Sequence, residues 1–260
     1  MGNFSSDEKI IELSQLEFFG SSGSGNQQKF WVGSYLHKLN SKFHEASAEV
    51  AASIIGCAFG LDCVKYQAAH YLIDGSMYRG CYCRNYLAEE DESISFATIL
   101  QQAKLDVPMK TSAIDFYKNT IVLISGFTGL ATQCLDEYLR QLLVFDFLIC
   151  NPDRHFANIE LIYNRHTSTF RLAPIFDCGQ AFLQRSTMPS RSDLEMLLYK
   201  LKMKPFSTNH YKNLIDVQKA KQIATRFIAT AGGVNSIRAL NVESYYTSLV
   251  LRRYNDLMNH

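Results

Sequence analysis

The stretch from Leu135 to Gly179 constrains this chain more than any other. An apolar run with helical spacing, Leu135 to Ile149, leads into Asn151-Pro152-Asp153-Arg154-His155-Phe156-Ala157-Asn158, which sets an Asp and an Asn five residues apart. Two short β-type runs follow, Ile159 to Tyr163 and Thr169 to Leu172, and nineteen residues after Asn158 stands Asp177, in Phe176-Asp177-Cys178-Gly179. An Asp-x4-Asn spacing alone is a weak signal. Joined to a D-x-G on the second strand of a hairpin, it becomes a strong one for phosphoryl transfer. In such loops the Asp orients the attacking hydroxyl and accepts its proton, while the Asn ligates a divalent metal. A second carboxylate is needed because Mg2+ takes hard oxygen ligands. Asp153 is therefore the candidate catalytic base, with Asn158 and Asp177 as candidate metal ligands.

Such a site also requires contacts to a nucleotide, and the N-terminal half offers them. Gly23-Ser24-Gly25 can bring backbone N–H groups close to phosphate oxygens, because glycine has no Cβ to obstruct the approach. Lys29 to Val32 and Tyr35 to Leu39 predict a hairpin around a Gly33-Ser34 turn, with Lys38 on its second strand. A lysine there would reach the α/β-phosphates. Its orienting carboxylate is expected on the next helix, His44 to Phe59, where Glu49 and Glu45 lie one turn apart on a shared face, Glu49 being preferred. The chain carries no G-x4-G-K-[ST] pattern, which argues against a P-loop NTPase.

The remaining segments divide into two parts. Ser6 predicts a helix start with Ile10, Ile11, Leu13 and Leu16 buried, and the helix over His44–Phe59 is expected to turn Val50, Ile54 and Cys57 inward. Strand-like runs at Cys63–Tyr66 and Arg79–Tyr86, either side of an Asp74-Gly75 turn, complete residues 1–88. The acidic run Glu89-Glu90-Asp91-Glu92 is a linker or a helix start. Beyond it helices are expected at Ser93–Gln102, Ser112–Ile124, Leu135–Ile149, Ser192–Lys202, Tyr211–Ala231 and Val242–Met258. The predicted class is α+β, with a β-rich N-lobe over 1–88 and a larger helical C-lobe over 89–260, and the nucleotide between them near residues 84 to 89.

Composition excludes several alternatives. With 26 Lys+Arg against 25 Asp+Glu in 260 residues, the balance suits neither direct nucleic-acid binding nor a polybasic membrane binder. The near-neutral total hides a basic final segment, 12 basic against 5 acidic side chains over residues 184–260, which as a solvated helical face or a docking surface sets it apart from the acidic catalytic segment. Seven cysteines, an odd number, argue for a reducing compartment rather than a disulfide framework. Cys81 and Cys83 stand too close together for a zinc knuckle and are expected to be plain thiols. Neither a leader peptide nor a membrane span is visible, so the expected location is cytoplasmic.

Gly25-Asn26-Gln27-Gln28-Lys29, Lys38, Glu49, the 151–158 loop and Ala173-Pro174-Ile175-Phe176-Asp177-Cys178-Gly179 together resemble the HipA-like (HipA/CtkA-type) serine/threonine kinases, over roughly residues 20 to 182. The resemblance implies a two-lobe protein-kinase-like fold and the use of ATP and Mg2+. Asp153 would be the base, Asn158 and Asp177 the Mg2+ ligands, Lys38 the contact to ATP, and a protein Ser or Thr hydroxyl the acceptor. Autophosphorylation of a serine in the Gly-rich loop is implied as well, Ser22 being the nearest position, beside Ser21 and Ser24. The chain shows no counterpart of the toxin's extra N-terminal domain, so an antitoxin-like or DNA-binding partner is expected only as a separate chain.

Residues 180–192 form a polar segment bracketed by arginines. They can be an activation-type loop phosphorylated at Ser186, Thr187 or Ser190, or a plain loop before a helix. Two other functions fit the same residues. The loop pattern also serves kinases of small molecules or lipid headgroups. A silent nucleotide-binding module is the third reading, opposed by the joint presence of Lys38, Asp153, Asn158 and Asp177.

Overall fold

The computed structural model describes residues 9–12, 28–40, 44–73, 75–103, 112–184, 190–200, 206 and 214–259. Its N-terminal part is one five-stranded sheet built from β1 (Lys9–Glu12), β2 (Lys29–Val32), β3 (Tyr35–Leu39), β4 (Gln67–Ile73) and β5 (Ser76–Arg84), in the order β1-β4-β5-β3-β2. The β2–β3 hairpin has the expected two-residue turn, with Gly33 at φ +55°, and pairs Lys29 with Lys38 and Phe30 with His37. Gly75 at φ +77° turns β4 into β5. The helix α1 (Glu45–Ala58) packs on β5 and β4.

Three features of this part differ from expectation. Lys9–Glu12 is a strand paired in parallel with β4, not the body of a helix. Two adjacent β-branched isoleucines suit the pleat, with Ile10 exposed and Ile11 buried on opposite faces. Residues 63–66 contribute only an isolated bridge, Cys63 to Ile175, and the strand before the Gly75 turn is β4 instead. Finally, α1 buries Ala48, Ala51, Ala52 and Ile55, while Val50 is only half-buried and Cys57 is exposed. Alanines let the helix axis approach the sheet closely, so the small residues face inward.

The C-terminal part is helical around a small second sheet. That sheet comprises β6 (Asp91–Ser95), β7 (Glu160–Asn164) and β8 (Thr169–Leu172), so the acidic run opens a strand rather than a linker or helix. The helices are α2 (Phe96–Gln102), α3 (Ala113–Thr128), α4 (Thr132–Leu148), α5 (Arg191–Lys200), α6 (Val217–Thr230), α7 (Val234–Arg238) and α8 (Ser244–Met258). Ser95 ends β6 and caps α2, its hydroxyl accepting the Thr98 N–H at 3.1 Å. Ser112 caps α3 in the same way, accepting from Asp115 N–H at 3.2 Å. The short helix α7 after Gly233 was not anticipated from the sequence. Helix α4 runs through the middle of the core against α3, α6 and α8, burying Leu135, Leu139, Leu142, Leu143 and Phe145.

Candidate active site

Strand β3 lies between β2 and β5, and Lys38 stands opposite Cys81 in that pairing. The neighbouring Gly80 on β5 has no room for a side chain, since a Cβ there would collide with the Lys38 carbonyl. The Lys38 side chain is 2% exposed. Its Nζ donates to Glu49 Oε1 and lies 3.4 Å from Asp177 Oδ1 and 4.8 Å from the centre of the Tyr66 ring. Burial acts against the ammonium charge, but Glu49, Tyr66 and Asp177 outweigh it and hold the Lys38 pKa well above the ordinary lysine range.

The structure selects Glu49 over Glu45 as the partner of Lys38. The second oxygen of Glu49 accepts the Cys178 N–H at 2.9 Å, so one carboxylate on α1 holds both the strand lysine and the backbone of the D-x-G turn. Gly179 follows directly and packs on Glu45 and Glu49, where even a Cβ would make only ordinary contacts, at 3.4 Å from Glu45 Cβ and 3.6 Å from Glu49 Oε1. Asp177 adopts φ +56°, a left-handed conformation uncommon outside glycine, and keeps its carboxylate partly open at 28% exposure. Lys29 Nζ is 3.9 Å away. Burial would raise the Asp177 carboxyl, but Lys38, Lys29 and Arg154 bring it down to about 2.

The 151–158 loop is held by a second ion pair that sequence reasoning did not identify. Asp146, on the last turn of α4, is fully buried and accepts from Arg154 Nε at 3.0 Å, from Arg154 Nη2 at 3.2 Å and from Asn151 Nδ2 at 2.9 Å. Arg154 Nη1 donates to the carbonyls of Phe176 at 2.6 Å and Asn158 at 3.2 Å, and Nη2 reaches Cys178 Sγ at 3.1 Å. One guanidinium thus ties the residue before Asp177 to Asn158. Asn151 Oδ1 accepts the Asp153 N–H at 3.2 Å, and Asn158 Nδ2 donates to the Asp153 carbonyl at 3.4 Å, so both flanks of Asp153 are fixed by backbone contacts. The signal for this frame was Asp146 itself, the one carboxylate in the apolar stretch Leu142 to Cys150, with an arginine eight residues later. A charge that deep requires a partner.

Tyr86 lies beside the D-x-G turn. Its hydroxyl donates to Glu160 Oε2 at 2.7 Å and its ring stacks on Phe176 at 6.2 Å between centroids, which places the 84–89 segment beside the D-x-G turn. Gly23, Ser24, Gly25 and the nearby Ser22 lie outside the described residues, as do Ser186 and Thr187. Ser190 caps α5, accepting the Asp193 N–H at 3.2 Å and donating to Asp193 Oδ2 at 2.7 Å. Cys81 and Cys83 are buried in β5. Among the described residues no group of three or more His, Cys, Asp or Glu side chains is arranged around a metal position, and no helix is long and apolar enough to cross a membrane. Arg154 links the backbone of Asn158 to that of Phe176, the residue before Asp177.

No protein-family model matches the chain, and no curated protein matches it. Solved structures do match. The proinflammatory kinase CtkA of Helicobacter pylori superposes with a TM-score of 0.69 at 16% identity, covering 96% of this chain and 94% of that one. HipA of Shewanella oneidensis MR-1, in a toxin–antitoxin complex with HipB and operator DNA, superposes with a TM-score of 0.52 at 13% identity. That match covers 98% of this chain but 65% of HipA. At these identities the likeness concerns architecture, and the architecture agrees from end to end with the shorter protein: the chain has the α+β, HipA/CtkA-like kinase fold.

Proposed function

We propose that this protein is an ATP- and Mg2+-dependent kinase of the HipA/CtkA type that phosphorylates a Ser or Thr hydroxyl of a protein. The observation that carries the reading is the shared carboxylate of Glu49, which holds Lys38 beside Asp177 while binding the D-x-G backbone. In a structural ion pair nothing requires a third, partly open carboxylate at the same ammonium. In a phosphate site the lysine must be charged, fixed and directed at the edge where the metal ligands stand.

The residues divide the work as follows. Residues 1–88 act as the lobe that grips the nucleotide, with Lys38 neutralising phosphate charge and Gly23, Ser24 and Gly25 supplying backbone N–H groups. Glu49 holds the lysine in place. Residues 89–260 act as the lobe that carries the chemistry. Asp153 orients the acceptor hydroxyl and takes its proton as the oxygen attacks the γ-phosphorus, and ADP leaves. Asn158 and Asp177 would hold Mg2+, which when bound neutralises charge on the phosphates. Positioning and electrostatics supply most of the catalysis, as phosphoryl transfer asks little covalent chemistry of a protein.

The test is transfer of label from [γ-32P]ATP to protein by wild type, Asp153→Asn and Asp177→Ala. Wild type should label itself or a protein acceptor, with Ser22 or a Ser or Thr of the 186–190 segment as the mapped site of autophosphorylation, and Asp153→Asn should be slower by about 10²- to 10⁴-fold, the usual worth of a positioned base. Equal labelling by all three would overturn the assignment. Consumption of ATP with only a metabolite or lipid labelled would move it to a small-molecule or lipid kinase.

A further inference from the structure

The final segment carries more cations than phosphate transfer needs, 12 basic against 5 acidic side chains over residues 184–260. Several are engaged within the protein. Arg226 pairs with Glu137 at 3.2 Å, Lys221 Nζ donates to the Met258 carbonyl at 3.1 Å, and Arg253 lies over the Phe147 ring and reaches Asp256 at 3.4 Å. Arg238 and Arg252 are different. They line one open cavity of about 380 Å3, together with Ser248, Leu251, Asn255 and Asp256.

Helix geometry assembles this cavity. Ser248, Leu251, Arg252, Asn255 and Asp256 recur at intervals of three and four along α8 and so share a face. Arg238 ends α7, which packs on α8, and joins that face from the side. Arg252 is half-buried and Arg238 exposed. Among the described residues, no hydrogen bond or ion pair engages the side chains of Arg238, Ser248, Arg252 or Asn255. Asp256 stands four residues after Arg252, the spacing of a helical ion pair, but is drawn to Arg253 instead. Two guanidinium charges, a hydroxyl and an amide thus face one cavity without a carboxylate of their own.

We propose that this cavity binds a phosphoryl group carried on a serine or threonine of another protein. A phosphoryl group brings a charge of about −1.5 to −2 and three acceptor oxygens, which matches two arginines flanked by neutral donors. A single carboxylate would neutralise only one of the two cations. Each guanidinium presents a planar fork of N–H groups suited to phosphate oxygens. The cavity falls in the size range of small-ligand sites and exceeds what a phosphate ion occupies, and Leu251 adds an apolar wall for the carbon atoms of the residue that bears it. A nucleic acid, with a charge at every nucleotide, would call for a row of unpaired cations, whereas here two converge on one point.

The experiment titrates the full chain by calorimetry, without ATP, so that its outcome is independent of phosphate transfer. The probes are a five-residue alanine peptide with one central phosphoserine, its unphosphorylated form, inorganic phosphate, and a thymidine oligonucleotide. The expected result is one site per chain for the phosphopeptide, at least about tenfold tighter than for the other three. Arg238→Ala and Arg252→Ala should each weaken it about tenfold or more, the worth of a charge-assisted hydrogen bond. On unaltered protein, the phosphopeptide should also slow modification of Arg238 and Arg252 by phenylglyoxal, mapped by mass spectrometry, which localises the site without any substitution. Phosphopeptide binding no tighter than that of the unphosphorylated peptide, inorganic phosphate or the oligonucleotide would overturn the proposal. So would full affinity in both folded arginine variants, or unchanged modification of the two arginines.

Discussion

Arg154–Asp146 and Lys38–Glu49 each place a cation and a carboxylate out of water within one site, yet their surroundings differ. Every contact recorded for the Arg154 guanidinium goes to a group of the protein interior: Asp146, the Phe176 and Asn158 carbonyls, and the Cys178 sulfur. Lys38 has Glu49 behind it and, in front, Asp177 with its carboxylate partly open to the cleft. A guanidinium suits the first role, because its fixed fork satisfies several acceptors at once, whereas an ammonium on a flexible stem suits a position that must meet an incoming charge. The first pair fixes the loop; the second leaves one side of a cation available for chemistry.

Breaking the two pairs should therefore have different consequences. Arg154→Leu strands Asp146 in the core and should cost about 3–5 kcal/mol of stability. For a chain of this size that lowers Tm by roughly 10 °C or more, measured by calorimetry. Replacing both partners, Arg154→Leu with Asp146→Leu, should recover much of the loss, because no unpaired charge remains. An unchanged Tm in the single variant would show that the pair does not hold the loop.

Lys38→Met should cost less, about 1–3 kcal/mol by the worth of a lost charged hydrogen bond, because Glu49 keeps the Cys178 N–H and can take up a proton. A loss as large as that of Arg154→Leu would erase the distinction between the two pairs. The smallest effect is expected for Asp177→Asn, about 1 kcal/mol or less in urea titration, since its carboxylate is partly solvated and its contacts to Lys38 and Lys29 are 3.4 and 3.9 Å long. Its consequence should fall on phosphate transfer instead.

The same contrast separates what could be read in the amino-acid order from what could not. The β2–β3 hairpin, Lys38, Glu49, Asp153, Asn158 and Asp177 are marked by local spacing and by residue types that chemistry demands, so they were visible one motif at a time. Asp146 leaves a trace, a carboxylate in the most apolar part of α4, but its partner is fixed only when the loop folds back against the D-x-G turn, so the local pattern marks the charge without showing that Arg154 also binds the Phe176 and Asn158 carbonyls. The buried face of α1 was misjudged by hydrophobicity, since Val50 and Ile54 outrank the alanines that close packing against β5 selects. β1 and β6 are strands because of partners far away in sequence, Gln67–Ile73 and Glu160–Asn164, and propensity over four or five residues does not anticipate such pairing.

The most direct measurement is phosphate transfer from Mg-ATP by Lys38→Met, with its Tm and circular dichroism recorded on the same sample. If the open pair is the chemical one, the variant stays folded, its far-ultraviolet spectrum matches wild type, and transfer falls by at least about 100-fold, as expected when a preorganised charge contact to the transferring group is removed. A folded Lys38→Met protein that transfers phosphate at the wild-type rate would contradict the assignment of this cleft as a kinase active site.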